Sequence, residues 1–544
     1  MAVRDSDKEE AVVDLVETAT GNVLSSSSDI GSSEELQTNE HAHLTLKESL
    51  KKWRTVVIYS LCMSSAILMY GYDYVIVGTV SAMPSFQQDF GVELNGKWIL
   101  PSLWLGLWTF VSPGCSMVGA VAGGFCQDRV GRRWSLAVGS FLSAVGVAVC
   151  FVSNRPAGDA IDTRRAIFLV GKGFQGGAIG MVMATAQTHM SEMLPPNLRG
   201  PVLAFFPIFT LLGQVIGALV IFACLNHPDG YAIAFATQWP LSALPLIMAF
   251  VVPESPTYLT RKGCDAAAYT AQRRLDGRTV DVAETERTLQ RLRAHVARER
   301  HLPAKATYRD SFRRGNLRRT LVVMFASIVP QLFGLTLLSK ASYFIQIVGM
   351  KASLSVVVLI AGIVCGLLAN IASLPVLARL GRRPLLMSGL SAAALLWGTM
   401  GIAGIWSGDV TVWYSAAVMI LVIVVCGLGA WPAATIVCSE TSALHLRAKA
   451  QGIAWFTAGA GNALYGFVLP YIFNPDQGDL GAKTGFVFTG LCLIGVAVTY
   501  FIVPEMKGRT PAEIDRMFEL KLPAGQFVDW ENPSAVPPAN EDKV

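Results

Sequence analysis

The 544 residues carry 44 lysines and arginines against 39 acids, a net charge of +5, yet only 15% of the chain is charged and 52% is hydrophobic, with a mean hydropathy of +0.45. So apolar a composition excludes an ordinary water-soluble protein, and basic residues confined to short clusters between apolar blocks leave no basic domain for nucleic acid. Of the ten cysteines, most lie inside apolar blocks (Cys62, Cys115, Cys150, Cys224, Cys365, Cys426, Cys492) without metal-ligand spacing, so they read as packing residues and no disulfide framework, metal or other cofactor is expected.

Residues 1–50 are rich in Ser, Glu and Asp and do not resemble a cleavable signal peptide; they read as a disordered cytoplasmic tail. Apolar blocks of roughly 20 residues follow, the length a helix needs to cross a hydrocarbon core about 30 Å thick. They begin near residues 55, 98, 133, 166, 200 and 233, and again near 320, 353, 385, 411, 450 and 485. The expected fold is an all-α membrane protein of 12 transmembrane helices: a six-helix bundle over 51–252, a central segment over 253–319, a second six-helix bundle over 320–503 and a polar tail over 504–544. In the central segment, AETERTLQRLRAHVARER alternates acids and bases at helical spacing and predicts short surface helices.

Alternate loops hold the arginines, with Arg164 and Arg165 as the exception, which places both termini and the central segment in the cytoplasm. Three motifs recur at one period. GRR stands at 131–133 and 381–383 (offset 250), Glu192 with Arg199 recurs as Glu440 with Arg447 (offset 248), and Pro-Glu at 253 recurs at 504 (offset 251). The chain therefore reads as two pseudo-symmetric bundles in parallel, the layout of transporters that rock two halves about a central site.

Seven motifs in order carry a further resemblance: GYD at 71–73, GGFCQDRVGRR at 123–133, SEMLPPNLRG at 191–200, PESPTYL at 253–259, SETSALHLRAK at 439–449, PYIFNP with GAKTGF at 470–486, and PEMKGRTPAEID at 504–515. On these the chain resembles the sugar porter family of the major facilitator superfamily, and within it the fungal proton-coupled α-glucoside (maltose) permeases. The resemblance implies the major facilitator fold and a cytoplasmic ion-pair gate built from Asp128, Arg129, Arg132, Arg133, Glu192 and Arg199 in one half and Arg379, Arg382, Arg383, Glu440 and Arg447 in the other. Ala378 stands where the family often has Asp, so the second half of the gate is expected to be weaker. Positive-inside anchoring alone is the competing account of these arginines.

Charge inside a bilayer is costly, so each intramembrane ionisable residue is a functional candidate. Asp73 matches the position at which proton-coupled members of the family carry Asp, and Lys172 stands where they usually carry Arg; a structural buried pair is the alternative. Lys340 is the third such charge and falls outside the family pattern. It either snorkels to the headgroups or faces the cavity and meets an acidic or highly oxygenated substrate. For recognising hydroxyls, amides are suited because they donate and accept. Gln331 matches a family substrate glutamine, with Gln214, Asn462 and Thr336 as companions, although such residues can also bridge helices. Pro330, Thr336, Pro207 and Leu105 replace polar residues common in relatives, and Trp431 and Thr435 depart from the tenth-helix pattern.

The implied function is proton symport of a sugar, an α-glucoside or a related sugar-like compound, across the plasma membrane by a multi-pass carrier acting as a monomer. Its partners are the small-molecule substrate, protons and the lipid bilayer, with no nucleic acid. An exporter of a small secondary metabolite on the same scaffold, or a transporter-shaped nutrient sensor, are the alternatives. No P-loop is present, and no enzyme is expected.

Overall fold

Hydrocarbon offers no partner for a backbone N–H or C=O, so an apolar stretch that crosses it closes its own hydrogen bonds as a helix. The computed structural model describes residues 46–94, 96–155, 161–195, 198, 206–277, 280–301, 307–406, 408–442, 446–507, 509, 511–527 and 530. Among these, twelve helices stand where the sequence places spans. The first half holds α1 (Arg54–Val80), α2 (Ser102–Val130), α3 (Arg132–Val152), α4 (Ile161–Met193), α5 (Phe206–Cys224) and α6 (Gly230–Val251). The second holds α7 (Arg314–Leu338), α8 (Ala352–Arg379), α9 (Arg382–Ala403), α10 (Asp409–Glu440), α11 (Arg447–Phe473) and α12 (Thr484–Ile502). Ten helices among the described residues are long and apolar enough to cross a membrane; α5 is shorter, and α11 spreads Lys449, Gln451 and Asn462 along its 27 residues.

The same pairings recur in both halves. Helix α1 packs on α5 as α7 packs on α11, α2 on α4 as α8 on α10, and α3 on α6 as α9 on α12. Between halves, α2 meets α11 and α5 meets α8, the two contacts that a twofold relation between parallel repeats requires. The alternation of helices puts the start of α1, the central segment and the end of α12 at one face of the bundle, called here the terminal face. There Lys52, just before α1, pairs with Glu284 of the central helix Val282–His301 at 2.7 Å, and Arg319 of α7 pairs with Asp515 of the helix Pro511–Glu519.

Among the described residues four spans are interrupted, α6 at Thr237 between Gly230–Ala236 and Gln238–Val251. Ser64 folds its hydroxyl back on Ser60 O at 3.0 Å and turns α1 early in its course. Gly334 (φ +93°) breaks α7, a left-handed conformation open to glycine at little cost, with Trp397 and Phe488 pressed against it. Gly429 breaks α10 ahead of Pro432, which its second segment tolerates in the first turn.

At the opposite face a feature absent from the helical reading joins α1 to α2: an antiparallel hairpin of β1 (Val92–Leu94) and β2 (Lys97–Ile99). Arg165 explains its own exception to the charge pattern. Buried at the start of α4, it donates to Phe90 O (2.8 Å) and Gly91 O (3.0 Å), the residues leading into the hairpin, and pairs with Asp162 at 2.9 Å. It is a structural bracket, so the loop-charge rule does not apply to it.

Candidate functional site

Four helices of the first half converge on one buried charge pair. Gly71 lets α1 lie directly on the backbone of Thr210 in α5, which sets the rotation of α1 and turns Asp73 inward. Lys172 of α4, 1% exposed, ion-pairs with Asp73, 8% exposed, and donates a second hydrogen bond to Gln175 Oε1 at 3.0 Å. Ser112 of α2 donates to the other carboxylate oxygen at 3.2 Å, and Gln175 passes the chain on to Gln238 of α6. The carboxylate thus has one charged and one neutral donor. Gln175 Oε1 is the second acceptor of Lys172, so the ammonium is not held by Asp73 alone.

In the second half the break in α7 brings the predicted amides together. Beyond Gly334 the chain turns so that the Thr336 hydroxyl donates to Gln331 Oε1, while Asn462 of α11 lies 3.1 Å from the same hydroxyl. A hydroxyl carries one proton, so the Asn462 contact is satisfied when its NH2 group faces Thr336 Oγ1. Trp397 pins the break by donating to Phe333 O at 3.0 Å. Gln214 is also buried, on α5, but shares no hydrogen bond with this cluster among the described residues. Among the positions that depart from the family pattern, Thr336 joins this cluster, Leu105 is buried in the core, and Thr435 donates to Trp431 O at 3.2 Å.

Lys340 does not snorkel. Its stem packs against Gly78 of α1, the residue is 6% exposed, and its Nζ lies 3.4 Å from Gly466 O of α11. Gly466 follows Asn462 by four residues, as Lys340 follows Thr336, so the ammonium stands next along both chains from the amide cluster.

The arginines of the terminal face repeat a single design. Arg132 binds Glu192 through two nitrogens (2.8 and 3.0 Å) and approaches Asp128 at 3.5 Å, while Arg133 caps the last carbonyls of α6 at Ala249 and Phe250. In the second half Arg382 binds Glu440 through one nitrogen at 3.0 Å, and Arg383 caps Tyr500 O of α12 at 2.7 Å. The second pair is thinner: among the described residues Glu440 Oε2 and Arg382 Nε have no hydrogen-bond partner, and Ala378 replaces the counterpart of Asp128. Each pair closes within its own half rather than across the seam. Arg129 and Arg379 are exposed and contribute carbonyls, to Tyr258 and Lys507; their guanidinium groups make no hydrogen bond or ion pair among the described residues. Arg199 and the side chain of Arg447 lie outside the described residues.

Several residues here were not singled out from sequence. Glu254 accepts the backbone N–H groups of Arg132 (3.0 Å) and Arg133 (3.3 Å), and Glu505 accepts those of Arg382 (3.1 Å) and Arg383 (3.0 Å). The recurrence of Pro-Glu at offset 251 was the signal for them. His189, buried near the end of α4, meets Pro253 O at 3.1 Å. At the opposite face the halves bond to each other directly. Asp476 accepts from Ser102 N (2.7 Å) and from its hydroxyl, Asn474 donates to Leu100 O (2.7 Å), Leu100 N–H donates to Tyr343 OH (3.1 Å), and Gln87 donates to Gln346 (2.9 Å). Thr109 closes the series on Gly466 O at 2.6 Å.

The family model described as sugar (and other) transporter matches residues 59–518. The chain is 29% identical over 487 residues to the MFS transporter fmqE of Aspergillus fumigatus, covering 88% of each, and 26% identical to the general alpha-glucoside permease of Saccharomyces cerevisiae, covering 90% of this chain and 79% of the permease. Among solved structures, the xylose transporter XylE of E. coli in a partially occluded inward open conformation superposes with a TM-score of 0.68 at 18% identity, covering 84% of this chain and 99% of XylE. With its two six-helix bundles and a family match across most of its length, the chain belongs to the sugar (and other) transporter family of the major facilitator superfamily.

Proposed function

We propose that this chain is a secondary active transporter that carries a sugar or sugar-like compound across the plasma membrane together with a proton. The observation that carries the reading is the Asp73–Lys172 pair: a carboxylate deep in the first half, held by one cation and one hydroxyl, beside a second half that gathers Gln331, Thr336 and Asn462. Protonation of Asp73 loosens its hold on α4 and, with substrate bound, biases the two halves between outward and inward states. The arginine-rich terminal face is cytoplasmic in this reading, and the bonded opposite face is external. The Glu192 and Glu440 ion pairs with their arginines form the cytoplasmic gate. The transporter works as a monomer, and nothing in the reading calls for catalysis.

Uptake in a transport-deficient yeast, with external pH varied and α-glucosides as the first cargo, tests it. Uptake is expected to rise as external pH falls and to lose that dependence in Asp73→Asn. Gradient-independent uptake with a fully active Asp73→Asn would defeat the coupling assignment. A second reading, export of a small metabolite on the same scaffold, draws on Leu105 and Pro330, which stand where relatives often carry amides. Efflux from loaded vesicles without competition by any sugar would favour it.

A further inference from the structure

Two lysines are buried among the described residues of the bundle, Lys172 and Lys340, and they are treated differently. Lys172 has a carboxylate and an amide oxygen. Lys340 has neither: its one hydrogen bond among the described residues is the 3.4 Å contact to Gly466 O, and that oxygen already accepts from Thr109 at 2.6 Å. An ammonium has three N–H donors, so two of them find no protein acceptor among the described residues. A cation buried in this way is retained where something outside the protein completes it, because an uncompensated charge in a bilayer protein is costly.

Position narrows what that something is. Lys340 lies at the seam of the halves, its stem against Gly78 of α1 and its amine against α11, four residues along from Thr336 on one side and Asn462 on the other. The Gly466 carbonyl that holds it is also a seam bond, from α2 of the first half through Thr109. When the halves part there, the carbonyl loses one donor and the ammonium is uncovered beside the amides. We propose that Lys340 is a counter-ion site for an acidic group on the transported molecule, so that the cargo is a carboxylated, hydroxyl-bearing compound whose hydroxyls meet Gln331, Thr336 and Asn462 while its carboxylate meets Lys340. The inference rests on the reading of the amide cluster as the substrate site and specifies the cargo that site takes.

The test is ligand binding to the full-length protein purified in detergent, with D-glucose, methyl α-D-glucoside, maltose, D-gluconate, D-glucuronate and benzoate as probes against wild type, Lys340→Met and Lys340→Arg. Thermal unfolding of each variant without ligand establishes that it is folded. The expected result is preferential binding of the sugar acids, an affinity loss of about thirtyfold or more in Lys340→Met, and substantial recovery in Lys340→Arg. Neutral sugars that bind wild type and Lys340→Met alike, with the acids excluded, would overturn the inference and leave the sugar reading standing. Lys340-dependent binding of benzoate alone would support the counter-ion site while removing the sugar reading. Failure of every probe to bind wild type overturns both.

Discussion

A carboxylate and an ammonium that share a dry site depend on one another more than either depends on the rest of the protein. Removing one partner strands the other, at about 3–5 kcal/mol, whereas removing both leaves no buried charge and costs less. Lys172→Met and Asp73→Asn are each expected to lower the thermal stability of the detergent-purified protein, and the double variant to recover most of the loss. If the double variant is as unstable as the two single losses added together, the residues are not energetically coupled and the pair is incidental. Both were visible in the sequence because a charge inside an apolar block has few innocent explanations. Their partners were not, since Ser112, Gln175 and Gln238 are neutral residues of a kind that helices tolerate anywhere, and only the convergence of α1, α2, α4 and α6 gives them a role. Lys340 was equally visible, but its depth was not: the break at Gly334 decides that it lies on Gly78 rather than at the headgroups.

Among elements, the α2–α4 contact and the entry to α3 and α9 are where sequence detail controls helix placement. A methyl group at Gly180 would run into the backbone of Ser116 on α2, while one at Gly124, on the same α2, meets nothing within 4 Å. Gly180→Ala is therefore expected to cost about 1–3 kcal/mol through overpacking, and Gly124→Ala close to nothing. Equal melting temperatures for the two variants would show that the α2–α4 contact is looser than described. Glu254 and Glu505, more than 100 residues further along the chain, each hold the first N–H groups of a repeat helix, α3 or α9, and so anchor the arginine that begins it. Their replacement by alanine is expected to cost about 1–2 kcal/mol apiece, and Arg132→Ala to destabilise more than Arg382→Ala, because the first pair makes two hydrogen bonds and the second one. Parallel losses for the two arginines, read from thermal unfolding, would contradict that ordering. The spans themselves were legible from apolar block length to within a few residues. The hairpin of β1 and β2 was missed although Asn95-Gly96 between short apolar-polar runs is a strong turn signal, because a search tuned to blocks of 20 residues passes over it.

Over the whole molecule, the two halves are free to move only where they are not bonded, and among the described residues the hydrogen bonds between them lie in the spans and towards the opposite face. Ion pairs at the terminal face stay within their own halves, whereas the opposite face is tied by Asp476, Asn474, Tyr343 and Gln346 reaching to Ser102, Leu100 and Gln87. This asymmetry could not be read from the repeat, which predicts two similar halves but not which ends touch; Asp476 and Asn474 fall in a short loop with no counterpart motif in the first half. Asp476 is the strongest tie, since a carboxylate accepting two bonds from Ser102 is worth more than a neutral contact, about 1.5–3 kcal/mol for each bond to a charged group. Losing that amount from one state of a two-state equilibrium shifts the populations by about tenfold or more. Spin labels at the exposed positions Trp98 and Gln477, in a cysteine-depleted background reconstituted in lipid, report the gap between the halves at that face. Asp476→Ala is expected to move the distance distribution towards longer values and Gln346→Ala to move it less, because the latter removes only a neutral bond. An unchanged distribution in Asp476→Ala would mean that apolar packing of α2 on α11, rather than these hydrogen bonds, keeps the opposite face shut, and would move the search for the controlling contact to that helix pair.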